Sequence, residues 1–406
     1  MNIGMLLNAN YPADIRVRKE AETLSKNHLV FVLCKRNTNE LEYEVINGVQ
    51  VIRKIEYRNL AHEGIIDVVA SIGFVHPFFK QQLPYFIDEN KIEVLHVHDL
   101  PLAKTAFIAA KKVGIKTVLD LHENYPAALK TWFSWRKNLF IKLKNKLFFS
   151  YNRWRKYESK MLKKFDILIT VVEEMKDRII EQHFISEDKI VVVPNTEKKD
   201  FVQNFTKETT SYFSSYKDKF IISYVGGFGP HRGLHTAIEG MQIVSQQIPN
   251  ALLVLVGPAN KDVRNHLEEL IVKFNVEAFV HIKGKEPFEQ VVNIMKNSSV
   301  NIIPHISNEH TESAVPHKFY QILLSGMPLL VSDCAPMKRL VTHFDIGNYF
   351  ISENPKSFAK AIIGINTNYN ETMDKARKGN EIALNGNLNW EDSSKNLVHL
   401  YDNLFI

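Results

Sequence analysis

Two segments in the second half of the sequence have residues that could bind an anion. Residues 225–234 read Val-Gly-Gly-Phe-Gly-Pro-His-Arg-Gly-Leu, a predicted strand that continues through glycines into a predicted helix. Gly226 and Gly227 would let backbone N–H groups approach a phosphate, and Arg232 could neutralise its charge. The pattern is neither G-x-G-x-x-G nor a Walker loop, so a glycine-rich turn with a surface arginine explains it equally well.

The second segment begins at Glu312 and reads Glu-Ser-Ala-Val-Pro-His-Lys-Phe-Tyr-Gln. The proline predicts the start of a helix, and a Gly-x-Pro sequence at 326–328 predicts its end. Lys318 and Gln321 are three positions apart and would therefore lie on one face of this helix. An inward-facing lysine near the glycine segment strengthens the prediction of an anion site.

Polar residues also follow two apolar strands in the first half of the sequence. His98 and Asp99 end one predicted strand, and His122 ends the next. Parallel strands end at a common edge of a sheet, where ligands bind in open α/β folds. We therefore consider His122 and Asp99 as catalytic candidates, although a histidine at a strand end is often structural.

The sequence does not indicate a metal site or hydrolase chemistry. It has no D-x-D pair, and the spacing of His305, His310 and His317 matches no zinc motif. It also has no G-x-S-x-G elbow. We expect neither a metal nor any other cofactor.

Composition indicates a globular protein of about two domains. The chain has 406 residues, of which 45% are apolar and 24% charged. Cys34 and Cys334 lie far apart and outside any Cys/His cluster, which favours a reducing compartment over a disulfide framework. We expect a cytoplasmic protein without a signal peptide or a membrane span.

The positive charge of the chain is concentrated in one segment. Net charge is +6, and residues 136–164 contain 11 Lys/Arg residues but only one acidic residue, Glu158. The segment from Trp132 to Lys164 also carries three of the four tryptophans. Such a segment could lie on an anionic membrane surface, or its aromatic residues could pack in a core with the lysines in water. We prefer the membrane interpretation, with contacts from Trp132, Trp135, Lys142, Lys144, Lys146 and Trp154; we find no nucleic-acid-binding signature.

Periodicity predicts two doubly wound α/β domains with parallel sheets. Continuous apolar runs alternate with amphipathic stretches in each half, as expected for strands covered on both faces. The Asn47-Gly48 pair predicts a hairpin at 44–54. We predict an N-terminal domain at 1–195, a polar linker at 196–219, a C-terminal domain at 220–385, and a terminal helix within 386–406 that could pack back on the N-terminal domain. The active site is expected in the cleft between the domains.

These motifs together resemble the retaining, GT-B-fold glycosyltransferases of family 4. The resemblance rests on Tyr11–Ala21, which is similar to the family's first loop and helix, and on the strand ends at 96–101 and 120–123. It also rests on Val193-Pro194-Asn195, which is similar to the interdomain signature, and on the two anion-binding segments. It covers nearly the whole chain.

The resemblance implies a nucleotide-sugar donor that is bound by the C-terminal domain. Arg232 corresponds to a basic residue that grips the diphosphate, and Lys318 to a basic residue found in some members. Gly227 stands where the family usually has a second basic residue, and Ser313 and Gln321 stand where it has glutamates. The full set of donor-binding candidates comprises Gly226, Gly227, Arg232, Gly257, Lys283, Gly284, Glu312, Ser313, Lys318 and Gln321. His122 corresponds to the histidine that contacts the donor sugar.

The resemblance therefore implies transfer of a sugar from a nucleotide diphosphate, with a UDP-sugar favoured. The acceptor is expected to be a lipid-linked glycan of surface polysaccharide synthesis, and the enzyme is expected to associate peripherally with the inner face of the plasma membrane. A GT-B-fold nucleotide-sugar epimerase and a non-catalytic nucleotide-sugar-binding protein remain alternatives.

Overall fold

The computed structural model describes residues 1–133, 138–205 and 212–405, apart from the side chains of Phe140, Asn204 and Phe205. The chain forms two compact units. The first comprises Met1–Pro194 and Ser394–Ile406, and the second comprises Asn195–Ser393.

Fourteen strands lie in the described residues and form one sheet in each unit. They are β1 Asn2–Asn10, β2 Leu29–Lys35, β3 Tyr43–Ile46, β4 Val49–Ile55, β5 Val94–His98, β6 Lys116–Leu121, β7 Ile167–Thr170, β8 Ile190–Val192, β9 Phe220–Val225, β10 Ala251–Val256, β11 Val280–Lys283, β12 Val300–Ile303, β13 Leu329–Ser332 and β14 Asn348–Phe350.

Helices connect the strands in both units. They are α1 Ile15–Leu24, α2 Leu60–Gly73, α3 Pro77–Glu89, α4 Ala103–Val113, α5 Tyr125–Phe133, α6 Leu139–Phe148, α7 Tyr151–Leu162, α8 Glu173–His183, α9 Phe201–Phe205, α10 Leu234–Gln247, α11 Lys261–Lys273, α12 Glu289–Lys296, α13 Lys318–Ser325, α14 Ala335–Phe344, α15 Pro355–Thr367, α16 Tyr369–Asn385 and α17 Trp390–Asn403.

Both sheets are doubly wound, as the apolar runs predicted. The strand order is β3-β4-β2-β1-β5-β6-β7-β8 in the first unit and β11-β10-β9-β12-β13-β14 in the second. Neighbouring strands are parallel except β3 and β4, which form the predicted hairpin. Asn47 and Gly48 both have positive φ angles, 48° and 84°, as a type I′ turn requires. All six residues of β10 are buried, so helices cover both faces of that sheet.

The structure differs from the predicted domain boundaries at the linker. Residues 196–219, as far as they are described, belong to the second unit. Phe213 is buried in that unit's core with Ile221 and Leu252, and Tyr212 and Tyr216 pack against this cluster. The sequence predicted a linker because these three aromatic residues lie among Ser, Lys and Asp residues, so the segment as a whole has a polar composition.

The terminal helix α17 begins in the second unit and ends in the first. Its residues from Ser394 onward group with the first unit, whereas residues 386–393 group with the second. The predicted segment 386–406 therefore divides between the units. Within the first unit, the Asn396 side chain donates a hydrogen bond to the Val192 carbonyl at 2.9 Å.

Among the described residues, no helix combines the length and the apolar character that crossing a membrane would require.

Candidate functional site

Three glycines meet where strands β9, β10 and β11 of the second unit end. The Gly226 N–H donates to Val256 O at 2.9 Å, and the Gly257 N–H donates to Gly284 O at 3.1 Å. Gly226 and Gly257 have φ angles of 142° and 149°, and a Cβ at Gly257 would lie 2.0 Å from Gly226 O. A side chain cannot fit at Gly257, and both positive φ angles favour glycine, so the backbone segments at these strand ends approach each other closely.

The ammonium of Lys318 lies directly beside this glycine edge. Its Nζ is buried and has no hydrogen-bond partner, although the residue as a whole is only partly buried. It lies 3.8 Å from the ring centroid of Tyr224, and 2.7 Å from the position of a Cβ on Gly226. Burial, followed by repulsion from Arg232, holds the pKa of Lys318 well below its usual value. An anion at this position would complete a site that is otherwise unfavourable for a charge.

Arg232 supplies a second cation to the same region. Its Nη1 donates to Nε2 of His305 at 2.9 Å, so that Nε2 carries no proton. Burial lowers the pKa of His231 to about 2, and burial and Arg232 hold that of His305 well below its usual value. His231 and His305 are therefore neutral, so Arg232 is a cation at this edge, and a bound anion would favour the protonated form of Lys318 beside it.

Other predicted donor-binding side chains have structural partners. Gln321 donates to Glu197 Oε2 at 3.0 Å, and Ser313 Oγ donates to Glu309 O at 2.8 Å. Glu312 accepts the Ala335 N–H at 2.6 Å and so stabilises the start of α14. Lys283 lies over the Tyr216 ring at 5.8 Å. The structure brings Lys318, Gly226, Gly257 and Gly284 together, whereas Gln321, Ser313 and Glu312 are hydrogen-bonded to other parts of the second unit.

His122 of the first unit lies between two carboxylates. Its Nδ1 is 3.3 Å from Asp99 Oδ2, and its Nε2 is 3.0 Å from Asp120 Oδ2. Burial opposes a charge on His122, but Asp99 and Asp120 outweigh burial and raise its pKa to about 10. His122 is therefore an imidazolium at neutral pH, and 17% of its side chain is exposed at the strand ends.

Asp99 adopts an unusual backbone conformation to reach this position. Its φ is 65° and its ψ 158°, a region that few non-glycine residues occupy. Its N–H donates to Asp120 O at 2.8 Å, and its Oδ1 accepts the His122 N–H at 3.2 Å. The structure thus brings together Asp99 and His122, the two catalytic candidates from the sequence, and surrounding contacts hold the strained backbone of Asp99 in place.

Asp120 is the centre of the cluster, and sequence analysis did not assign it to the site. It accepts hydrogen bonds from Arg16 Nε at 3.1 Å and Arg16 Nη2 at 2.9 Å. Burial would raise the pKa of Asp120, but Arg16 and His122 outweigh it and hold the pKa well below its usual value. The signal was present as Asp-Leu-His, which puts Asp120 and His122 on the same side of a strand end.

Four buried groups lie behind His122: Glu20, His96, His98 and Asp120. One ligand atom from each lies within 4.8 Å of the others, so they could hold a metal ion. The guanidinium of Arg16, however, lies 2.9 Å from both Glu20 Oε1 and Asp120 Oδ1. The site thus already contains a cation supplied by the chain.

The basic aromatic segment forms parts of three helices, α5, α6 and α7, rather than one surface helix. Trp154 is 3% exposed and donates through Nε1 to Phe148 O at 3.0 Å, so its assignment to a membrane surface is wrong. It packs edge-on against Phe74 and Tyr157, which is the core arrangement that we had considered as the alternative. Trp132 is 39% exposed, and Trp135 lies outside the described residues.

Helix α6 does have the exposed character that membrane contact requires. Lys142, Lys144 and Lys146 are all exposed. Leu139, Leu143 and Leu147 are 78%, 56% and 58% exposed and recur every four residues, so they form one apolar stripe. The neighbouring helix α2 adds further exposed apolar side chains, Ile65, Val69 and Ile72. Neither α2 nor this leucine stripe was singled out from the sequence.

Both halves of the chain match known protein families. Residues 14–196 match the family described as Glycosyltransferase Family 4, and residues 206–381 match Glycosyl transferases group 1. The putative glycosyltransferase YtcC of Bacillus subtilis (strain 168) is 23% identical over 365 residues, which cover 87% of this chain and 83% of YtcC.

Solved structures resemble the chain over its whole length. Sucrose-phosphate synthase from Thermosynechococcus elongatus superposes with a TM-score of 0.76 at 16% identity, covering 100% of this chain and 99% of that one. Anabaena Alr3699/HepE in complex with UDP superposes with a TM-score of 0.72 at 14% identity, covering 99% and 100%. These likenesses confirm the predicted fold class of two doubly wound α/β units.

We predict that Lys318→Met stabilises the ligand-free protein, because it replaces a buried amino group that has no hydrogen-bond partner with an apolar side chain of similar length. We expect the free energy of unfolding in urea to rise by about 1–2 kcal/mol. The exposed Lys338, which lies over a tyrosine ring at 5.0 Å, is the matched control, and Lys338→Met should change stability by less than about 0.5 kcal/mol. A loss of stability in Lys318→Met would show that Lys318 supports the fold instead.

Proposed function

We propose that this chain, which belongs to the GT-B-fold glycosyltransferases, transfers a sugar from a nucleotide diphosphate donor to an acceptor hydroxyl with retention of configuration. The observation that carries the proposal is the buried Lys318 Nζ, which has no hydrogen-bond partner beside the Gly226 edge. A diphosphate is the ligand that this arrangement suits, because it brings negative charge and accepts charge-assisted hydrogen bonds from a lysine and an arginine. The complex of Anabaena Alr3699/HepE with UDP supports a uridine diphosphate donor.

Lys318 and Arg232 would bind the diphosphate of the donor. Both are held near β9 by the fold: Tyr224 lies beneath the Lys318 ammonium, and His305 orients the Arg232 guanidinium. Such preorganised cations stabilise charge that develops on a departing phosphate without rearranging during the reaction. They supply the positive charge for which other transferases use a divalent ion, so we propose that no metal cofactor is needed.

His122 would act on the reacting end of the donor. Both of its ring nitrogens face carboxylates, so we propose that it contributes a fixed positive charge near the departing phosphate rather than a free basic nitrogen. In a front-face mechanism the departing phosphate oxygen accepts the proton of the acceptor hydroxyl. No protein side chain then has to act as the base, which agrees with a histidine that is already protonated.

The acceptor would be a lipid-linked glycan at an anionic membrane surface. This proposal rests on the leucine stripe of α6, its three exposed lysines and the adjoining apolar residues of α2. Apolar side chains enter the interface while lysines contact anionic head groups. An exposed apolar stripe next to lysines is otherwise unfavourable in water. We place the protein on the cytoplasmic side of the membrane and in surface polysaccharide synthesis.

One assay separates this function from its alternatives. The purified protein is incubated with a panel of radiolabelled nucleotide sugars and a membrane extract. We expect label from one UDP-sugar to move into the lipid fraction. Isomerisation of the nucleotide sugar in solution would identify an epimerase, and bound but unchanged nucleotide sugar would identify a binding protein.

We predict different effects for donor-site and His122 variants. Arg232→Ala should weaken UDP binding by roughly 10- to 150-fold, because a charge-assisted hydrogen bond is worth about 1.5–3 kcal/mol. His122→Asn should lower kcat while UDP binding stays within about twofold, since the proposed contact is to the reacting centre. Calorimetric titration with UDP and steady-state rates measure the two effects.

The control for these variants is Arg264→Ala, which removes an exposed arginine paired with Glu268 on α11. It should change neither quantity. If UDP binds Arg232→Ala as tightly as wild type, the diphosphate lies elsewhere. If His122→Asn keeps full turnover, His122 is a structural strand end.

We predict that reversing charge on α6 weakens membrane binding. A variant with Lys142→Glu, Lys144→Glu and Lys146→Glu should bind anionic vesicles at low salt roughly 100-fold more weakly, at about 1 kcal/mol for each lysine. Co-sedimentation with phosphatidylserine-containing vesicles measures the loss. The control variant changes the exposed Lys356, Lys360 and Lys378 to Glu and has the same net charge. Equal loss in both variants would indicate an effect of net charge rather than a membrane-binding surface.

A further inference from the structure

The cluster behind His122 contains more acidic groups than cations. Two cations, Arg16 and the His122 imidazolium, face three carboxyl groups, Glu20, Asp99 and Asp120. The side chains of Arg16, Glu20 and Asp120 are 3%, 0% and 0% exposed. If all three carboxyls were ionised, the cluster would carry one net negative charge, and the two fully buried carboxylates, Glu20 and Asp120, would both face the same Arg16 nitrogen at 2.9 Å, which is unfavourable for like charges. Neutrality requires one further proton.

The contacts indicate which carboxyl group carries that proton. Asp120 accepts two hydrogen bonds from Arg16 and faces His122, so it is stabilised as an anion. Asp99 contacts His122 through its ring and its N–H, and its side chain is 35% exposed to water. Glu20 has only one Arg16 nitrogen, at 2.9 Å, and neither of its oxygens accepts a hydrogen bond. Glu20 is therefore the carboxyl group for which the neutral form costs least.

We propose that Glu20 and Asp120 share one proton beside Arg16, and that this carboxyl pair fixes both the position and the positive charge of His122. The Glu20 hydroxyl donates to the Asp120 carboxylate, Asp120 remains the anion that faces His122, and the cluster as a whole is neutral. Arg16, Glu20 and Asp120 are positioning residues in this proposal, because they act through His122. The importance of this carboxyl pair for catalysis rests on the proposed function, whereas the protonation states of the cluster do not depend on that function.

The electrostatics of the cluster agree with this assignment. Burial raises the pKa of Glu20 to about 8, against the attraction of Arg16, and interaction with Asp120 raises it further. Burial lowers the pKa of His98 to about 3 and also lowers that of His96, so neither is the missing cation. Burial raises the pKa of Asp99 to about 6, below that of Glu20.

Tyr401, on the final helix α17, contacts His96, which lies beside the carboxyl pair. Tyr401 Oη lies 2.7 Å from His96 Nδ1, and His96 Nε2 lies 3.6 Å from Glu20 Oε2 and 3.8 Å from Asp120 Oδ2. Burial holds the pKa of Tyr401 well above its usual value, so its hydroxyl keeps its proton and donates to Nδ1. His96 then presents its Nε2–H to the two carboxyls. A residue of α17 thus orients a group at the start of the chain.

A metal ion is the competing interpretation of the same residues. Glu20, His96, His98 and Asp120 are ligand types that zinc accepts. Arg16 argues against an ion, because its guanidinium is within 2.9 Å of both carboxylates and would repel a divalent cation in a buried site. A guanidinium and a shared proton satisfy the same carboxyls without an ion.

The charge of His122 provides a direct test in the intact, unmodified chain. The groups that face or surround it are His98 and Asp99 after β5, Asp120 on β6, Glu123 after β6, and Arg16 and Glu20 on α1. We would label the histidines with ¹³C and ¹⁵N and assign His122 from its absence in His122→Asn. The proposal expects both ring nitrogens of His122 to stay protonated from pH 6 to pH 9. Titration of His122 near pH 6.5 in wild type would overturn it.

Glu20→Gln tests the shared proton separately, because glutamine mimics the neutral carboxyl. Since the folded-state pKa of Glu20 is raised, its contribution to stability is full below the unfolded value of 4.5 and is lost as pH rises through about 8. Glu20→Gln should thus equal wild type in urea midpoint at pH 5 and exceed it at pH 8. The exposed Glu181→Gln should match wild type at both pH values. A lower midpoint for Glu20→Gln at pH 8 would mean that ionised Glu20 pairs with Arg16, which contradicts the proposal.

Two further measurements complete the test. Metal analysis of the purified chain should find far less than one ion per chain. If it finds stoichiometric zinc, and if removing the zinc with a chelator lowers the unfolding midpoint, then a metal ion rather than a shared proton balances the carboxyls and the proposal is wrong. In Asp120→Asn, His122 should no longer stay protonated at high pH, and kcat should fall with the donor KM unchanged.

If no sugar transfer is detected at all, the proposed function fails, while the histidine spectra and the pH dependence of stability still decide the proton arrangement.

Discussion

In a parallel sheet every strand ends at the same edge, and this constraint determines where the chemistry of this protein can lie. The glycines at 226, 257 and 284 end three strands of the second sheet, and Asp99 and His122 follow two strands of the first. Backbone groups at these ends are not all used by the sheet, so side chains bind some of them. In the first unit Asp99 accepts the His122 N–H, and Arg16 donates to the Val193 carbonyl.

The two units place buried charge in opposite ways. Around His122 the chain provides a counter-charge for each cation, so the imidazolium is fixed without any ligand. Around Lys318 the described residues provide an aromatic ring and a glycine, and the ammonium has no hydrogen-bond partner among them. The first arrangement is complete in the free protein, whereas the second is unfavourable for a charge until an anion arrives. An anion would therefore gain binding energy by removing that cost, while the first arrangement requires no reorganisation.

Sequence reasoning found the elements with strong local signals and missed contacts between distant residues. Glycines at strand ends, the Asn47-Gly48 turn and the lysine at the start of α13 are visible in a few consecutive residues. Asp120, Arg16 and Tyr401 are not, because their roles depend on pairings across 104 and 305 residues. The error at Trp154 has a related cause: composition predicts that a segment is amphipathic, but only packing against Phe74 and Tyr157 shows which face is buried.

The linker error follows from the same limit and bears on how the second unit is built. Glu197 was assigned to a polar connection, yet it is buried, accepts from Gln321 at 3.0 Å, and lies 3.4 Å from His317. Its carbonyl also accepts the Trp390 N–H at 2.9 Å, at the start of the terminal helix. The glutamine that stands in place of a family glutamate is thus paired with a glutamate from another part of the chain. A carboxylate at both positions would place two negative charges about 3 Å apart in a buried site, so the presence of Glu197 gives a physical reason for glutamine at 321.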